Sequence, residues 1–114
     1  MPPDICVGVG RYAVELRCYL IGRDRLFIIT STKEGHIGAV TLAEKRGMQT
    51  VCRLGHRDDI VSQSIAEVLH LALGEDITVV CGIHIDHATR EEIQTLVANA
   101  QQCATNYLEE RNHE

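Results

Sequence analysis

No apolar run in this 114-residue chain comes near the ~20 residues that a membrane-spanning helix needs. Met1-Pro2-Pro3-Asp4 lacks the basic start and long apolar centre of a secretory signal, so the expected location is the cytoplasm. Clustered basic charge is missing too. Arg17, Arg23 and Arg25 are separated by hydrophobic residues or by Asp24, and the net charge is −5, so neither a nucleic acid nor a membrane is expected as a partner. The chain has no CxxC, and its cysteines are odd in number: Cys6, Cys18, Cys52, Cys81 and Cys103. Four of them lie in hydrophobic patterns, which reads as reduced, buried thiols. A catalytic-thiolate reading would single out Cys81, three residues before His84. Walker loop, GxSxG, GxGxxG and HExxH signatures are absent, as are repeats, linkers and low-complexity segments.

What is present reads as one α+β domain over residues 1–114. Residues 12–20 alternate, with Val14, Leu16 and Cys18 on one face and Glu15 and Arg17 on the other, which predicts a half-buried strand. A turn at Gly22-Arg23-Asp24-Arg25 leads to the apolar run 26–30, a strand pairing with the first as a hairpin. Strands at 37–42 and 48–54 follow, and the short polar turns between all four predict an antiparallel meander. Helix signals begin after Gly55, with Asp58 or Asp59 as N-cap and Gly74 as stop. The helical spacing of Ile60, Val61, Ile65, Val68, Leu69 and Ala72 marks its inner face. Residues 77–83 have the β-branched density of a central strand. A second helix opens at Thr89, which stands in capping-box spacing with Glu92. The order is ββββαβα: a mostly antiparallel sheet of about five strands with two helices on one face. Apolar residues on both faces of the strands at 26–30 and 77–83 predict a homo-oligomer that covers the open side.

Polar chemistry concentrates in three segments that put a histidine close to glycine at strand ends: Gly35-His36-Ile37-Gly38, Gly55-His56-Arg57-Asp58-Asp59, and Gly82-Ile83-His84-Ile85-Asp86-His87. Imidazole exchanges protons, hydrogen-bonds or ligates metal near neutral pH. Gly38 in a strand marks either a bulge or the close approach of a ligand. His56 and Arg57 precede a helix whose N-terminal amides suit an anion, although Asp58 and Asp59 compete for those amides as caps. Asp86 shares a strand face with His84 and could fix its tautomer. His36, His56 and His84 could also ligate zinc or ferrous iron, with Asp86 behind them, although their spacing fits no compact metal motif.

His36-Ile37-Gly38-x-Val40-Thr41, Gly55-His56-Arg57-Asp58-Asp59 at a helix start, and Gly82-Ile83-His84-Ile85-x-x-x-Thr89 together resemble the LpdD-like family. These are the small D subunits encoded beside gallate and 4-hydroxybenzoate-type decarboxylases. The resemblance runs from about Tyr12 to the second helix, in matching order and spacing. This chain departs from the family in the added Asp86 and His87 and in ending soon after the second helix. The resemblance points to an accessory chaperone or maturation factor ahead of a stand-alone enzyme, and leaves open whether it carries the flavin or catalyses its oxidation. It implies binding of prenylated FMN (or FMN), with help in reaching the active oxidised form, transfer to a UbiD-type decarboxylase, or both. Carried onto this sequence, the cofactor-binding residues are His36, Gly38, Thr41, His56, Arg57, Gly82 and His84. His36, His56 and His84 are the catalytic or proton-transfer candidates. The readings set against it are a small metal-dependent enzyme using the three histidines, and a structural subunit whose histidines only cap turns.

Overall fold

A computed structural model describes residues 2–53 and 57–112. Among them, six strands and two α-helices form an α+β domain: β1 Ile5–Val7, β2 Val14–Ile21, β3 Asp24–Ser31, β4 Ala39–Glu44, β5 Gly47–Cys52, α1 Asp59–Leu73, β6 Ile77–Gly82 and α2 Arg90–Asn112. Both helices pack on one face of the sheet and touch each other. Two antiparallel hairpins form, β2 with β3 through Leu16↔Ile29 and β4 with β5 through Thr41↔Thr50. The sheet gains a strand that no periodicity announces. Ile5-Cys6-Val7 is too short to show alternation, yet it pairs antiparallel with β2 through Ile5↔Leu16.

The four-strand meander does not form. The sheet order is β1-β2-β3-β6-β4-β5, with β6 between the two hairpins, parallel to β3 and antiparallel to β4. Residues 32–38 bridge the resulting gap, which is two strand spacings of ~4.8 Å. A short polar link therefore looks like a hairpin turn while stepping over a neighbour. The parallel pair has the long crossover it requires, through β4, β5 and α1. Ile77, Val79 and Cys81 of β6 face the helices and join Phe27, Ile29, Leu16 and Val14 in the core.

Helix boundaries follow the local signals. Gly74 adopts φ 66° at the end of α1, and its N–H bonds the His70 carbonyl. Before α2, the Thr89 N–H donates to Glu92 Oε1 at 2.9 Å and the Glu92 N–H to Thr89 Oγ1 at 3.1 Å, a reciprocal capping box. The inner face of α1 is narrower than its periodicity suggests. Val61, Ile65 and Leu69 are buried with Ser62 and Ala66, whereas Ile60, Val68 and Ala72 point to solvent. The cysteines also divide: Cys81 and Cys103 are buried, Cys18 and Cys52 half-buried, and Cys6 exposed. No helix among the described residues is long and apolar enough to cross a membrane.

Candidate functional site

At the C-terminal end of β6, three segments converge on one cavity of about 340 Å³. Its apolar wall comes from α1 (Val61), from the segment after β6 (Ile83, Ile85, Ala88) and from α2 (Ile93, Leu96, Val97). Its polar end carries His36, Arg57, Asp58 and His84. Small-ligand sites run from ~300 to ~1,000 Å³ and combine apolar walls with a few converging polar groups. This one has that composition at the lower end of the range.

His36 reaches the site because residues 32–38 pass over the end of β6. Gly82 permits that crossing, since a Cβ there would lie 1.7 Å from the His36 carbonyl oxygen. Gly38 plays the corresponding part for Asp58, whose Oδ2 would be 1.8 Å from a Cβ at position 38. The room that each glycine leaves is filled by the protein itself.

Asp58 precedes α1 in the N-cap position, yet its side chain makes no capping bond. Its carboxylate turns inward instead. Oδ2 lies 3.2 Å from His36 Nε2, and Oδ1 accepts the Ile83 N–H at 3.0 Å. The side chain is 6% exposed. A carboxylate this buried needs such partners, since unpaired burial of charge is costly.

His84 is fixed by a different pair of contacts. Its N–H donates to the buried Ser31 Oγ at 2.8 Å, and its ring Nε2 lies 2.8 Å from Asp86 Oδ1. That hydrogen bond, then the imidazole's charge, hold the Asp86 carboxyl below its ordinary 3.8. The His36 and His84 rings stand edge to face, with centroids 5.7 Å apart. Arg57 stands at the mouth, 79% exposed, with Nε 3.6 Å from Asp59 Oδ1.

Of the residues singled out from sequence, His36, Arg57 and His84 line the cavity together. His56 lies outside the described residues. Thr41 is buried elsewhere, between Ser62 Oγ at 2.7 Å and Thr50 Oγ1 at 2.9 Å. His87 is exposed at φ 54° and lines no part of the cavity. Cys81 is fully buried, and burial raises its thiol far above the ordinary range, which keeps it protonated and unreactive. Among the described residues, no group of three or more His, Cys, Asp or Glu side chains could hold a metal ion; the three-histidine reading rests in part on His56. Asp58 is the member that sequence reasoning passed over, because a carboxylate before a helix reads as a cap. The adjacent Asp59 offered the one signal: two carboxylates at a helix start leave one to spare.

The cavity thus sets aliphatic side chains against two imidazoles, each within reach of a carboxylate oxygen. Residues 8–112 match the model of the prenylated flavin chaperone LpdD-like domain, and the chain belongs to this family. Protein LpdD of Lactiplantibacillus plantarum is 25% identical over 88 residues, covering 72% of this chain and 65% of that relative, slightly less than two-thirds of its length. The donor set fits the family's flavin: aliphatic side chains for the ring faces, imidazoles for the heteroatom edges and a guanidinium for a phosphate.

Proposed function

We propose that the chain binds prenylated FMN in the cavity at the end of β6, assists its maturation and passes it to a UbiD-type decarboxylase. The observation that carries this reading is the single cavity wall of Val61, Ile83, Ile85, Leu96 and Val97 closed at one end by His36 and His84. A volume of about 340 Å³ suits the prenylated ring system and leaves the ribityl phosphate to extend past the mouth, where Arg57 stands. When bound, the flavin supplies the redox and electrophilic ring chemistry. The protein's own part is to exclude water from the ring faces through the aliphatic wall. His36 and His84 hold or move protons at the ring edges, each imidazole oriented by its carboxylate. With 48% of its side chain exposed, His84 leaves an exit for a cargo that must be released.

The sheet face opposite the helices supports self-association. Ile28, Val80, Val40 and Val51 lie in register across four strands, beside Leu26 and Leu42 in the next row. Five strands at ~4.8 Å by about six residues at ~3.3 Å give roughly 500 Å² in projection, before side-chain relief is counted. That approaches the smaller stable interfaces, about 1,200 Å² in total over two partners. The Arg17 guanidinium pairs with Glu15 on this face, so these two charges offset each other within each copy. A second copy is the proposed occupant.

Titration of the purified protein with prenylated FMN tests the main reading. Binding should shift the flavin's absorption and fluorescence, and the loaded protein should activate apo-decarboxylase more than free flavin does. An unchanged spectrum with no gain in decarboxylation would refute it.

A further inference from the structure

We infer that Asp58 is a positioning residue that sets the tautomer of His36, and through it how that imidazole meets a ligand. The inference rests on the flavin reading for its functional half only. Three elements converge on this one carboxylate: His36 before β4, the Ile83 amide after β6, and the start of α1, which forgoes a side-chain cap. Gly38 leaves the space the carboxylate occupies. Because a carboxylate only accepts, the nitrogen facing it, His36 Nε2, carries the hydrogen, and in the neutral ring the lone pair sits on Nδ1. His84 repeats the arrangement with Asp86, also through Nε2. The two differ in permanence. The Asp86 side chain is 73% exposed and water can replace it, whereas Asp58 is buried and keeps its ring in one state.

Asp58→Asn separates this role from a structural one. The amide oxygen must still accept the Ile83 N–H, so the amide NH₂ is turned toward His36 Nε2 and demands the opposite tautomer. Two-dimensional ¹H–¹⁵N spectra of the histidine rings, above the pH where they are protonated, read this directly on the full chain. Wild type should show His36 as the Nε2–H tautomer and Asp58→Asn as Nδ1–H, with unchanged circular dichroism. Asp86→Asn should leave His36 unaltered. Prenylated FMN affinity should fall about tenfold or more in Asp58→Asn, the scale known for carboxylates that orient metal-ligating histidines. A wild-type His36 in the Nδ1–H form would overturn the inference even if the variant fails to fold. So would an unchanged tautomer in Asp58→Asn, or a flipped tautomer with unchanged affinity. If wild-type protein binds no prenylated FMN, the flavin reading fails while the tautomer measurement still decides the role of Asp58.

Discussion

The imidazoles of His36 and His84 meet at 84°, edge to face, although they are 48 positions apart in the chain and each is tied to its own carboxylate. One carboxylate is buried and belongs to a helix start; the other is exposed and lies two residues from its histidine. The cavity thus carries one imidazole held by a buried carboxylate beside one held by an exposed carboxylate.

The buried half depends on glycine. In Gly38→Ala the new Cβ would overlap Asp58 Oδ2 and push the carboxylate away from both His36 and Ile83. We expect a loss of about 1–3 kcal/mol in folding stability, the cost of leaving buried polar groups unpaired. Denaturant unfolding measures it, and flavin titration should show weakened binding in the same variant.

Thr41 separates stability from binding. Thr41→Val removes the hydroxyl that links Thr50 and Ser62 beneath α1. Stability should drop by about 1–3 kcal/mol. Flavin affinity should stay at the wild-type level, since Thr41 does not line the cavity.

Acid titration reports the exposed half. Asp86 is held below 3.8 by its hydrogen bond to His84, and Glu92 is lowered first by its hydrogen bond from the Thr89 backbone, then by Tyr12 and Arg11. Both carboxyls bind protons less readily folded than unfolded. Their stabilising contribution is therefore complete above the ordinary carboxylate range and is lost as pH falls through the folded-state values. In His84→Ala, carboxyl NMR should find the Asp86 midpoint moved up toward 3.8, with Glu92 unchanged.

Thiol labelling distinguishes the cysteines. Burial raises Cys81 far out of range and Cys103 to about 12, and Cys6 is exposed. Native-state alkylation followed by mass spectrometry should mark Cys6 first and leave Cys81 and Cys103 unmodified until the protein unfolds. Early modification of Cys81 would restore the thiolate reading.

The open sheet face makes its own prediction. Val51→Glu places a charge in the apolar row opposite Val40. Light scattering should find wild type as a dimer and this variant as a monomer, with its circular dichroism retained. A monomeric wild type at micromolar concentration would remove the second copy from the proposal.

Chain-local features were legible in advance. Alternation in β2, the β-branched run of β6, the glycine stop of α1 and the Thr89–Glu92 box are set by residues a few positions apart, whose steric and hydrogen-bonding preferences act without knowledge of the fold. So was the nearness of histidine to glycine at strand ends, which drew attention to His36 and His84. What sequence left open was every decision that depends on distant neighbours. The placement of β6 between two hairpins was one, because residues 32–38 span one strand spacing or two equally well. The choice of Asp58 between capping a helix and fixing an imidazole was another. A carboxylate satisfies whichever donors packing brings within 3 Å or so of its oxygens, and those donors, His36 and the Ile83 amide, come from opposite sides of the crossing that tertiary structure alone creates.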